Sequence, residues 1–255
     1  MHLKSSPKIF YRRRLPHYQP PNETFHVTFR LAGSLPVEIA RRLRLNHQVM
    51  RQSLDRASKP EERKRLVREL GATYLDQYDR YLDRATEGPF WLSQDTVAAH
   101  VEETIRSQDG GLYDLLAYCV MPNHLHLLAT FWGSVHGHLR ADVERSLDRS
   151  GPGTVAAYSR GELTEVSYTT NHYVVTSALK KIKGITAYEC NKLLHRRGQF
   201  WHHESYDHVI RNDLELERTV LYILQNPVKA GLCKEWRGWK WSYVKNEIIE
   251  QLDDV

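Results

Sequence analysis

The sequence predicts an α+β fold, an antiparallel sheet with helices on one face, and three observations carry that expectation. Glu23 to Leu31 and Tyr206 to Ile210 alternate β-branched or aromatic residues with polar ones, as half-buried strands do. Leu112 to Met121 and His124 to Thr130 flank Pro122-Asn123, a tight-turn signal, and read as two arms of an antiparallel hairpin. Apolar residues at helical spacing separate and follow these strands. The order is therefore strand, helix, strand, strand, helix, strand, helix, whose first six elements form the split βαβ, or ferredoxin-like (βαββαβ), pattern.

In chain order, residues 1–22 read as a flexible basic arm, with Lys4, Lys8 and Arg12 to Arg14 interrupted by Pro7 and Pro16. Phe25, Val27 and Phe29 alternate on the first strand, and Arg30 faces away from their core. Two helices follow as an insertion over about 37–85. The first carries Ile39, Leu43, Met50 and Leu54; the second starts at a capping box, Ser58 to Glu61, and ends before Glu87-Gly88-Pro89. Acidic residues including Asp76, Asp79 and Asp83 dilute the positive face of this pair, so it reads as solvated. Ser93 caps the next helix, and Val97, Val101 and Ile105 pack it on the sheet until Gly110-Gly111 closes it.

Residues 133–173 turn to Gly, Ser, Thr and charge and read as a loop insertion, His136-Gly-His138 included. Val175 to Arg197 is a helix with Leu179, Ile182, Thr186, Cys190 and Leu193 inward, and Lys180, Lys181 and Lys183 off that face. Such a basic flank suits a phosphate backbone; a solvated surface is the plainer use. Asn212 to Glu215 caps the final helix and Asn226-Pro227 stops it. Trp236, Trp239, Trp241 and Tyr243 pack against the body or stack on unpaired bases, before a tail at 244–255.

Composition sets the bounds. At 255 residues with a mean hydropathy of −0.58, one domain over 23–243 fits, and no window approaches the roughly 18 apolar residues of a membrane span. The basic, apolar-poor start argues against secretion. Cys119, Cys190 and Cys233 are isolated, which suits buried thiols in a reducing cytosol. A net charge of +5 permits an anionic partner without requiring one.

Chemistry concentrates at His124-Leu125-His126. On a strand the two imidazoles leave one face while Leu125 and Leu127 enter the core, so they can share a divalent ion; the other reading is two half-exposed histidines on an amphipathic strand. Together with Phe25 to Pro36, Ala117 to His126, Phe200-Trp201, Tyr206 to Arg211 and Tyr222 to Gly231, this stretch resembles the REP-associated tyrosine transposases, HUH single-strand DNA endonucleases with one catalytic tyrosine. The resemblance covers about 23–243 with two poorly matched insertions.

It implies that Tyr222, on a helix added after the ferredoxin-like core, is the nucleophile and that His124 and His126 are the metal pair. The products would be a 5′-phosphotyrosine and a free 3′-OH. Positions 218 and 226 are Arg and Asn, so there is no second tyrosine one turn away. Asn226, at i+4 from Tyr222, completes the ion's oxygen ligands or is rivalled by Gln225, since relatives carry Gln at i+4. Imidazoles with hard oxygen ligands suit Mg2+ or Mn2+. The expected partner is single-stranded or hairpin DNA, contacted at Lys180, Lys181, Lys183 and Arg211. A monomer is expected, cytoplasmic or on the bacterial nucleoid, without membrane or small-molecule cofactor. The alternative is a domesticated DNA-binding protein without strand transfer. A histidine phosphoesterase needs two H-x-[ST] motifs; His203-Glu204-Ser205 supplies one weakly, and His124-Leu125-His126 is not the other.

Overall fold

Alternation along three central strands gives the sheet two buried faces, one apolar and one mixed, and the helices distribute accordingly. The structure, a computed structural model, describes residues 10–12, 16–19, 21–56, 77–132 and 173–253. Its strands are β1 (Phe10–Arg12), β2 (Pro16–Tyr18), β3 (Glu23–Arg30), β4 (Tyr113–Val120), β5 (His124–Phe131), β6 (Tyr206–Val209) and β7 (Ser242–Val244). Its helices are α1 (Val37–Arg56), α2 (77–83), α3 (Asp95–Arg106), α4 (Val174–Leu193), α5 (Asp213–Lys229) and α6 (Asn246–Asp253).

The main sheet runs β6-β3-β5-β4-β7, every neighbouring pair antiparallel. β5 lies between β3 and β4, and β3 between β5 and β6, so two split βαβ units interlock as the element order predicts. β7 adds a fifth strand. On the apolar face Phe25, Val27, Phe29, Leu125, Leu127 and Phe131 meet Val97, Val101 and Ile105 of α3 and Val175, Leu179 and Ile182 of α4. Each such side chain contributes about 1.5–3 kcal/mol on burial. The opposite face sets Ala117, Cys119, Met121 and Leu128 against Val220, Ile223 and Leu224 of α5. A register shift between Leu115 and Ala117 lets β4 send Leu115 and Tyr118 to the first core and Ala117 and Cys119 to the second.

Several local expectations need correction. Trp91–Ser93 is a short 3-10 turn and the N-cap of α3 is Gln94, so Ser93 does not cap the helix. α4 ends at Leu193, which is 46% exposed, before His195 enters the left-handed region. α5 does not stop at Asn226-Pro227 but continues to Lys229. Pro227 forfeits one helical bond near the end of α5, and the terminus closes beyond it through Leu232 N to Pro227 O and Gly231 N to Val228 O, with Gly231 at φ 71. Asn212 is the cap expected, accepting from Glu215 N.

The aromatic end packs: Trp239 Nε1 donates to Val120 O, and Tyr243 stacks on Tyr118. In the stretch read as a tail, α6 adds Ile248 and Ile249 to the second core. In the stretch read as an arm, β1 and β2 pair, and Gln19 bonds Asp207 and Thr176. In the first insertion Leu35, Leu43 and Leu82 form a small cluster. The Met50 and Leu54 side chains, the capping box at 58–61 and the loop with His136 and His138 lie outside the described residues. No described helix is long and apolar enough to cross a membrane.

Candidate active site and metal centre

The mixed face of the sheet holds the chemistry. β3 and β5 pair Thr28 with His126 and Arg30 with His124, so these four side chains leave the sheet together. The half-exposed strand face allowed by the sequence is not what forms: His124 and His126 are both 0% exposed, because α2 and α5 cover them. Leu125 and Leu127 enter the opposite core as expected.

Hydrogen bonds orient both rings. His124 Nδ1 lies 2.7 Å from Asn123 Oδ1, an acceptor only, so Nδ1 carries the proton and Nε2 keeps its lone pair. His126 Nδ1 lies 3.0 Å from Thr28 Oγ1 and 3.2 Å from His26 Nε2. With its proton on Nδ1, His126 presents a second lone pair, and the two Nε2 atoms stand 3.1 Å apart. Ligand atoms at right angles around an ion, each about 2.1 Å from it, are separated by about 3 Å. A carboxylate completes the group: ligand atoms of Asp79, His124 and His126 all lie within 4.8 Å of one another. The donor set fits a divalent cation, with oxygen beside imidazole.

Asp79 comes from α2, the helix read as solvated; it is 1% exposed. Its Oδ2 accepts the Tyr222 hydroxyl at 2.5 Å and lies 3.9 Å from His126 Nε2. Asp83, one turn on, lies 3.8 Å from His124 Nε2. Burial raises its carboxyl to about 6 against the opposing pull of Lys229 and Arg84. Asn123 Nδ2 donates to Leu82 O, fastening α2 to the turn before the histidines. His26 also escaped the sequence reading. It is 2% exposed, and its ring centre is 5.4 Å from that of His126 and 6.0 Å from that of Tyr222. The signal was present, since His26, Thr28 and Arg30 alternate on the face of β3 turned from its apolar core.

Tyr222, on α5, sets its ring centre 5.9 Å from that of His126, and Lys229 Nζ lies 4.7 Å from the tyrosine ring centre. Asn226 is buried one turn on, its amide nitrogen donating to Tyr222 O at 2.9 Å. Gln225 is half-buried on the same helix. Lys180, Lys181 and Lys183 sit on α4, which packs on the opposite sheet face, and so are not beside the histidines. Lys183 Nζ donates to His202 O at 3.0 Å; Lys180 and Lys183 border an open groove of about 430 Å3 with His202 and His203. Arg211 precedes α5 and lies 3.7 Å from Glu215 Oε1.

Burial holds the three histidines neutral. It lowers His124 to about 3 and His126 well below its ordinary value, with help from His124 and Lys229; His26 is lowered by burial, then by His126 and His208. Below about pH 6.5 the unfolded chain binds protons that the native state refuses. Stability is therefore full above about 6.5 and falls with pH toward about 3, the value for His124. Asp83 acts in the opposite sense, one group against three. Melting temperature should drop between neutral pH and about pH 4; a flat profile there would contradict neutral, buried rings.

No protein-family model matches the chain. A protein of Haemophilus influenzae named a REP-associated tyrosine transposase is 21% identical over 140 residues, 55% of this chain. The chain spans 64% of that relative's length. A solved structure of a REP-associated tyrosine transposase bound to a REP hairpin aligns over 91% of this chain and 80% of that one, at 17% identity and a TM-score of 0.44. In sequence, the chain is similar to the REP-associated tyrosine transposases, the family its motif blocks resemble.

Proposed function

We propose that the chain is a metal-dependent single-strand DNA endonuclease of the transposase type, which cleaves and rejoins DNA beside REP-like hairpins through a 5′-phosphotyrosine. One observation carries the reading: a tyrosine hydroxyl, a carboxylate and two neutral imidazoles converge on one buried face. His124, His126 and Asp79 would hold Mg2+ or Mn2+, which when bound supplies Lewis acidity at the scissile phosphate. Asp79 takes the third-ligand place given to Asn226 from the sequence; Asn226 then steadies the turn of α5 that carries the nucleophile. Tyr222 Oη gives up its proton toward Asp79, which accepts that hydroxyl, and attacks phosphorus; the P–O3′ bond breaks, and the 3′ oxygen leaves as a 3′-OH carrying the proton that Tyr222 released. The phosphotyrosine conserves the bond for rejoining.

DNA beyond the cleaved linkage is proposed to cross Lys180, Lys181, Lys183 and Arg211. Since Lys183 also holds a main-chain carbonyl, the clean test is Lys180→Gln with Lys181→Gln. That pair should lower the salt slope of single-strand binding by about 1.4, two contacts at about 0.7 each. An unchanged slope would return both lysines to a solvated face.

A second reading, a DNA-binding protein that no longer cuts, is favoured by the closed site, whose two histidines have no exposed surface. Covalent chemistry separates the two. With Mg2+ or Mn2+, a labelled strand carrying a hairpin should give an adduct that survives a denaturing gel. Label 3′ of the cut should stay on the protein and label 5′ of it should leave. No adduct on any hairpin with either metal would favour the binding protein.

A further inference from the structure

Next to the candidate metal centre the sheet buries a cation with no counter-charge among the described residues. Arg30 ends β3 directly opposite His124 and is 5% exposed. Its Nη1 donates to two neutral acceptors, Leu31 O and Ser34 Oγ, each at 3.2 Å. Its Nε, sealed from solvent, makes no hydrogen bond. No carboxylate among the described residues pairs with it. The ring centre of Tyr78, on α2, lies 5.9 Å from Cζ. The charge registers at His202, which it helps to push down to about 4, burial being the larger cause.

A guanidinium taken out of water without an anion is among the costliest groups a core can hold, and an orphaned N–H adds to the cost. Fastening the 31–34 turn does not account for it, since a neutral amide could donate to the same two oxygens. An anion that arrives with the substrate does. The nearby reaction handles phosphodiesters, and a planar guanidinium matches phosphate oxygens in both charge and donor spacing.

We propose that Arg30 binds a non-bridging phosphate oxygen of the DNA strand, at a linkage neighbouring the one that Tyr222 attacks. This rests on reading the chain as a single-strand endonuclease. α2 covers both groups, with Tyr78 over Arg30 and Asp79 on the Tyr222 hydroxyl, so a strand that passes under this helix meets them together.

The test is binding, which needs no cleavage. The probes are an oligothymidylate of about 20 nucleotides and its uncharged methylphosphonate counterpart. Arg30→Gln should weaken binding of the charged strand about tenfold and lower its salt slope by about 0.7, leaving the uncharged strand unaffected. A purely structural arginine would move neither the slope nor the difference between strands. Equal losses on both strands, an unchanged slope, or a wild type with no affinity for the charged strand would overturn the proposal. Should Arg30→Gln melt before it can be assayed, Arg30→Lys decides. It keeps the charge without Nε–H, so it should hold the slope and lose affinity, and wild-type affinity would count against Arg30. A wild type that binds and forms no adduct refutes the endonuclease, while the two-strand comparison still decides Arg30.

Discussion

Tyr222→Phe should leave a folded protein that forms no covalent adduct with DNA. Phenylalanine keeps the ring, and with it the edge contacts to His26 and His126 and the cation of Lys229 above it. Only the oxygen goes, and with it the sole atom assigned to attack phosphorus. The fold should nevertheless register the change, because that oxygen also donates to Asp79, which is 1% exposed. A buried carboxylate deprived of such a donor costs about 1–3 kcal/mol. The variant should therefore melt a few degrees below wild type, by about 2–4 °C per kcal/mol for a chain of this size. Denaturing gels read the first effect and calorimetry the second. An adduct that persists in the phenylalanine protein would show that another residue is the nucleophile, and an unchanged melting temperature would show that the Tyr222–Asp79 bond carries no weight.

What could be read from the sequence follows physical range. Strand alternation is local, so the order of β3, β4, β5 and β6 and the shared face of His124 and His126 were accessible from spacing alone. The apolar stripe of α3 was readable in the same way. The carboxylates were not. On α2, Asp79 and Asp83 carry the pattern of a solvated helix face, and nothing within a few residues reports that this face is laid over the mixed side of the sheet. The bond from Asp79 to Tyr222 joins residues 143 apart. Pro227 misled for a different reason: a proline signals a break, but one lost bond near a well-closed terminus is tolerated. His26 lay between the two cases, its alternation visible but its burial dependent on α5 and β6 arriving later in the chain.

The proposed metal site gives the other large effect. Mn2+ binding by the protein alone, followed through the spectroscopic signal of the free ion, should fall about 100-fold or more in His124→Ala or His126→Ala, which each remove a proposed ligand. Both positions are fully buried, so each variant also opens a cavity and should lose about 1–3 kcal/mol, to be checked by melting before the titration is read. Asp79→Asn is the sharper probe. It preserves shape and keeps an oxygen for the Tyr222 hydroxyl, but withdraws the charge a divalent ion requires. Its Mn2+ affinity should drop by about tenfold to 100-fold. Asn226→Ala should leave that affinity nearly unchanged, because the bond observed for its amide runs to the backbone of its own helix. If Asn226→Ala were the variant that lost Mn2+ while Asp79→Asn kept it, the third ligand would lie on the tyrosine helix, as the sequence reading had it. If all four variants bound Mn2+ like wild type, the two imidazoles on β5 would be a buried hydrogen-bonded pair and not a metal site.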